Sequence, residues 1–119
     1  MTPKEVADEL VAGCREGRAR ANLQKLYAAD AVSVESADMG NGRETSGLAG
    51  IDGKHQWWED NHDVTGGEVL GPFMHGDDRF AVVFHVAGTT KADSKPFTMS
   101  EVGIYQVKDG KILREEFFY

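Results

Sequence analysis

Apolar residues fall at Val6, Leu10, Val11 and Cys14, three and four positions apart, and this spacing predicts a helix with one buried stripe. Thr2 stands where a cap is needed, Pro3 takes the first helical position, Glu5 closes a capping box and Gly17 supplies the stop. A second helix is predicted over residues 19–29, with Leu23, Leu26 and Tyr27 on one side; its short connection to the first makes the two antiparallel neighbours. The period then drops to two. Val32, Ser33, Val34 and Glu35 alternate over residues 31–36, a short strand with one apolar and one polar face. Residues 37–50 carry Gly40, Gly42, Gly47 and Gly50 and no period, so they read as a loop, of a length often used as a lid or rim. Asp52 is placed to cap a short third helix that carries Trp57 and Trp58 and ends near His62, ahead of a turn at Gly66-Gly67.

Strand-like runs fill the remainder, over residues 68–75, 79–90, 97–107 and 111–119, joined at Gly76-Asp77-Asp78, at residues 91–95 and at Asp109-Gly110, a strong hairpin signal. Helices gathered early and strands gathered late argue for an α+β fold, element order ααβαββββ, in which a curved, mostly antiparallel sheet wraps three N-terminal helices. Phe80, Val82, Phe84 and Val86 lie on one face of their strand, and Ala81, Val83 and His85 on the other. A strand apolar on both faces predicts that one face meets the helices and the other a second subunit, hence a homodimer.

A chain of 119 residues is one domain's worth, and no repeat or linker divides it, so residues 1–119 are expected to form a single domain. Its apolar residues form no run long enough to cross a bilayer, and the N-terminus lacks the basic-then-apolar layout of a leader, so a cytoplasmic location without membrane attachment is expected. The balance of 13 Lys and Arg against 20 Asp and Glu, net charge -7, disfavours nucleic acid as a partner. Cys14 is the one cysteine, which excludes an internal disulfide, and its place between apolar helix positions reads as a small core residue.

The second helix running through Tyr27-Ala28-Ala29-Asp30-Ala31-Val32, the Gly53-Lys54 pair, and the ending from Glu101 through Val107-Lys108-Asp109-Gly110-Lys111-Ile112 to Tyr119 resemble SnoaL-like and ketosteroid-isomerase-like proteins of the nuclear-transport-factor-2-like superfamily. The resemblance implies a cone-shaped cup between sheet and helices, usually in a dimer, around a small hydrophobic molecule. It implies two classes of function. One is a cofactor-free isomerase, cyclase or dehydratase that transfers a proton on a small carbonyl compound; the other is a non-catalytic ligand-binding or dimerisation domain.

Counting from Tyr27, the resemblance places Glu35 at the general base of ketosteroid isomerase; the alternative is that Val32 and Val34 form the buried face of their strand and Glu35 is solvated. The oxyanion-hole partners of that enzyme fall near Leu10 or Val11 and near Ser100, and do not carry over. On the face that the resemblance makes concave, His85 is expected beside Ser100, Val102, Ile104, Glu115, Phe117 and Tyr119, with Glu35 and His85 as an acid/base pair and Tyr119 either a phenol donor or half-buried with its hydroxyl at the rim. A buried His satisfied by one hydrogen bond is the plainer account of His85. Trp57 and Trp58 could stack a flat ligand or serve as core, and Asn61 and His62 follow one turn later. His55, Glu59 and His62 share a helical face but lack a fourth local ligand, so a solvated face is the preferred reading and neither a metal nor an organic cofactor is expected.

Overall fold

The computed structural model describes residues 1–119. Helix α1 (Pro3–Glu16) forms where its caps specify. The Thr2 hydroxyl accepts from the Glu5 N–H at 3.1 Å, and the Glu5 carboxylate accepts from the Thr2 N–H at 2.9 Å. At the other end Gly17 takes a left-handed φ of 78°, which a residue without Cβ adopts at little cost. The predicted stripe is buried at Val6, Leu10 and Val11.

The next segment divides differently from the expectation. Helix α2 (Ala21–Leu26) is shorter than 19–29, and strand β1 (Tyr27–Val34) starts four residues before 31, with Tyr27 already extended at φ -101° and ψ 144°. The helix propensity of Ala28 and Ala29 is worth only about half a kcal/mol each. It loses to a buried Tyr27 and to ladder bonds with the last strand. Inside the expected loop, β2 (Glu44–Ser46) adds a short antiparallel edge to β1.

Helix α3 (Leu48–Asn61) begins after Gly47 rather than at Asp52. Asp52 instead pairs with Arg20 at 2.8 Å, while another Arg20 nitrogen reaches Glu59 at 2.9 Å, so one guanidinium ties α3 to the start of α2. Strand β3 (His62–His75) starts at His62, not at 68, because Gly66-Gly67 bulges the strand and does not turn it. A Cβ on Gly67 would fall 2.0 Å from the His85 carbonyl oxygen on the neighbouring strand, so only glycine permits this approach.

Strands β4 (Arg79–Thr90), β5 (Pro96–Lys108) and β6 (Lys111–Phe118) follow in hairpins, the last turned at Asp109 and Gly110, both with positive φ. The sheet runs β2-β1-β6-β5-β4-β3 and is open; every pair is antiparallel except β1 with β6. The expected order of elements holds, with β2 added.

The three helices cover one face of this sheet. Phe80 and Val82, at 1% and 0% exposure, point into that layer beside Leu10, Leu26, Ile51 and Ile112. Burying each large apolar side chain contributes roughly 2 kcal/mol. Because β4 alternates, Phe84 joins Phe80 and Val82 on the inner face, while Ala81, Val83 and His85 are held on the outer one.

Candidate functional site

A cavity of about 140 Å³ opens between the helices and the inner face of the sheet. Helix α1 contributes Leu10 and Cys14, the α1–α2 region Ala19 and Asn22, and α3 His55. Strands contribute Tyr27, Phe84, Glu101, Tyr105, Glu115 and Phe117. The wall is mainly apolar, with a few polar groups converging on it, the usual composition of a small-molecule site.

Glu115 is the most heavily hydrogen-bonded acid of this layer. It is 3% exposed, yet its carboxylate accepts hydrogen bonds from the Tyr27 hydroxyl and, at 2.6 Å, from the Ser33 hydroxyl. Ser33 in turn accepts from the Lys54 ammonium at 2.7 Å. The β1–β6 pairing makes this possible by setting Ser33 directly beside Glu115. Burial, with Glu115 next to it, holds the Tyr27 phenol well above its ordinary range, so it stays a donor.

Glu101 is in a different situation. It lies on β5 opposite Phe84, lines the cavity, and its carboxyl group makes no hydrogen bond or ion pair within the chain. Burial pushes it up to about 7, with the Glu35 and Glu115 carboxylates adding and Lys54 opposing. Across the cavity, burial lowers the His55 imidazole from its ordinary value, which favours the neutral ring. Cys14 is pushed up to about 11 by burial and then by Glu115, so it is a thiol at neutral pH and no ready nucleophile.

Glu115 and Phe117 line the cavity. Glu35 follows Ser33 on the inner side but stays at the rim, where its carboxylate is 2.6 Å from the Lys54 ammonium and accepts from the Tyr119 hydroxyl at 3.0 Å. His85, Ser100, Val102 and Ile104 are on the outer face, the reverse of the expectation. The register pairs His85 with Ser100 and Val83 with Val102, and the His85 Nδ1 lies 2.7 Å from the Ser100 hydroxyl. Glu35 and His85 therefore do not share a pocket. The reason is Phe80 and Val82: two fully buried side chains fix which face of β4 is inner, and His85 is out of phase with them.

The aromatic residues of α3 also stand apart from the cavity. Trp57 is 56% exposed; Trp58 stacks on His62 at 3.9 Å with Phe97 edge-on to both; Asn61 bonds the Trp57 carbonyl at 2.8 Å. His55, Glu59 and His62 do not converge on a metal position, since His55 turns into the cavity and Glu59 pairs with Arg20. The sequence reading missed Glu101, Tyr105 and His55 as cavity groups. Counting the β4–β5 hairpin outward with Phe80 as inner would have found the first two, because Phe84 then faces Glu101 and Phe80 faces Tyr105.

Three helices against an open, six-stranded mixed sheet with a cavity beneath them define an α+β protein of the nuclear-transport-factor-2-like fold. The chain belongs to the SnoaL-like domain family, whose model matches residues 1–119. A crystal structure from Mesorhizobium loti, described as a candidate SnoaL-like polyketide cyclase, is 39% identical, with all of both chains covered and a TM-score of 0.91. An NTF2-like protein from Burkholderia thailandensis is 18% identical over 99% of this chain and 90% of that one, TM-score 0.81. A protein with a ketosteroid-isomerase-like fold from Catenulispora acidiphila, solved with trimethylamine, is 21% identical over 100% and 87%, TM-score 0.72. The last two speak to the fold alone. Among curated protein sequences, none matches this chain.

Proposed function

We propose that this chain is a cofactor-independent enzyme that moves a proton on a small apolar carbonyl compound, as an isomerase, cyclase or dehydratase, with Glu101 as the proton carrier. The observation that carries the reading is the Glu101 carboxyl, facing a mainly apolar cavity without any partner in the chain. A group poised at about 7 exists in both forms at neutral pH, as an acid/base catalyst requires. A cup that only binds an apolar ligand gains nothing from an unpaired, half-buried carboxyl in its wall, which costs free energy. This is why catalysis is favoured over the binding module. Glu115 is tied up by two hydroxyl donors and is not free to carry a proton to substrate; burial, then Glu35 and Glu115, keep Glu101 weakly acidic. Glu35, bridged to Lys54, is a rim group whose charge acts on Glu101 from a distance.

The cavity limits the substrate. An engineered cavity of about 150 Å³ holds benzene. A single small ring or a short chain is the size that fits; a fused polycyclic skeleton is not.

The partner side of the reading is a homodimer. The outer face of the sheet carries Leu70, Phe73, Val83, Val102, Ile104 and Phe118 in register across four strands, an apolar stripe of the kind that marks a contact surface.

The test is hydrogen–deuterium exchange at the α-carbon of small ketones, followed by NMR. Wild-type protein should catalyse exchange with a rate that rises through about pH 7 and then levels, as Glu101 becomes a carboxylate. Glu101→Gln should lose on the order of 10² to 10⁴ in rate. Equal rates for the two proteins would remove Glu101 from the chemistry.

A further inference from the structure

Glu101, Gly103 and Tyr105 alternate on the inner face of β5, opposite Phe84, Val82 and Phe80. Tyr105 is 2% exposed and lines the cavity, yet its hydroxyl makes no hydrogen bond, whereas the hydroxyls of Tyr27 and Tyr119 each have a carboxylate acceptor. No side-chain polar atom is both sealed off and unpartnered, so this hydroxyl opens onto the cavity. A buried phenol without a partner is uncommon and points to a ligand that supplies one.

Gly103 sets where the hydroxyl sits. A Cβ there would fall 2.9 Å from Tyr105 Cε2, 3.1 Å from its hydroxyl oxygen and 3.2 Å from Phe117 Cε1. The Tyr105 ring therefore leans along the strand over Gly103, toward Glu101. Phe80 stacked at 4.8 Å and Phe117 edge-on at 6.2 Å hold it in that pose. Successive positions on one face of a strand are about 7 Å apart. A hydroxyl above Gly103 and a carboxyl at Glu101 are thus separated by roughly the reach of a carbonyl oxygen on one side and its α-hydrogen on the other.

We propose that the Tyr105 O–H donates a hydrogen bond to the carbonyl oxygen of the substrate while Glu101 takes the α-proton, with Gly103 making room for the donor. This rests on the proton-transfer reading above. In the step, the Glu101 carboxylate removes a proton from the α-carbon, the C–H pair becomes the C=C bond of an enolate, and the carbonyl π pair moves onto oxygen. There the Tyr105 hydroxyl stabilises it. The carboxylic acid so formed returns the proton to carbon, so no oxidant or co-reactant is needed. Burial, followed by the Glu115 charge, holds the Tyr105 phenol well above its ordinary range and keeps it a donor at neutral pH.

The experiment uses cyclohexanone as both ligand and exchange substrate, with wild type, Tyr105→Phe and Glu101→Gln compared. The infrared carbonyl band of the bound ketone should lie lower than in an alkane solvent for wild type and Glu101→Gln, and return to the alkane position in Tyr105→Phe. Exchange should slow by about 10² to 10³ in Tyr105→Phe. Since the deleted oxygen has no partner in the fold, the melting temperature should hardly move. Should Tyr105→Phe fail to fold, Gly103→Ala displaces the ring and should abolish the same band shift. A carbonyl band that is unshifted in wild type, or shifted equally in Tyr105→Phe, overturns this inference even if Glu101→Gln kills exchange; so does failure of the ketone to bind. A Tyr105-dependent shift without wild-type exchange keeps Tyr105 as the oxygen's partner and sinks the proton-transfer reading instead.

Discussion

Replacing Glu101 by Gln should stabilise the protein above neutral pH and leave it unchanged in acid. The folded-state carboxyl sits at about 7 against an ordinary 4.5, a difference of about 2.5 units, each worth about 1.4 kcal/mol. The sign follows from proton counting. Below 4.5 the group is protonated in both the folded and unfolded chains and contributes nothing. Between 4.5 and 7 the unfolded chain ionises while the folded one holds its proton, so stability falls as pH rises; above 7 the full penalty of an ionised carboxylate in an apolar wall is present. That ceiling is about 3.5 kcal/mol. Partial exposure and the residual cost of a buried amide reduce the expected gain of Glu101→Gln to about 1 to 2 kcal/mol at pH 8.5. The total stability of a domain this size is about 5 to 15 kcal/mol, so the effect is large enough to measure. Urea denaturation of both proteins at pH 4, 6 and 8.5 gives the difference directly, and other carboxylates, such as Glu9 held low by Arg18, titrate in both and cancel. A difference that does not change with pH would refute the assignment of an unpaired, weakly acidic carboxyl to position 101.

Tyr27→Phe removes a donor from the buried Glu115 carboxylate and should cost about 1.5 to 3 kcal/mol in the same urea assay; a loss under about 0.5 would mean that Glu115 does not depend on it. Glu35→Gln weakens the bridge to Lys54 and lightens the negative charge near Glu101, so the exchange-rate profile should shift to lower pH with its plateau kept, whereas a collapsed plateau would make Glu35 the base. Light scattering at micromolar concentration should give twice the mass of one chain, and a Val83→Lys change on the outer face should return the monomer. Elemental analysis with chelator treatment should find no stoichiometric metal and no change in melting temperature; a zinc ion held through His55 would contradict the placement of that ring in the cavity.

Some of this architecture was legible from the chain alone, because local rules suffice for it. The box of Thr2 and Glu5, the stop at Gly17, the Asp109-Gly110 turn and the alternation of β4 are each written in a few adjacent residues, and each appears as read. Boundaries moved where long-range partners outweighed local preference. Tyr27 left the helix to reach Glu115, 88 residues away, and Gly66-Gly67 became a bulge because β4 passes too close for a side chain. The site depended on phase. Alternation tells which residues share a face, but not which face is covered by helices, and a one-residue change of phase exchanges His85 and Ser100 for Phe84 and Glu101. Only the packing of Phe80 and Val82 into the core beneath the helices decides that, and with it which carboxyl meets water and which meets the cavity.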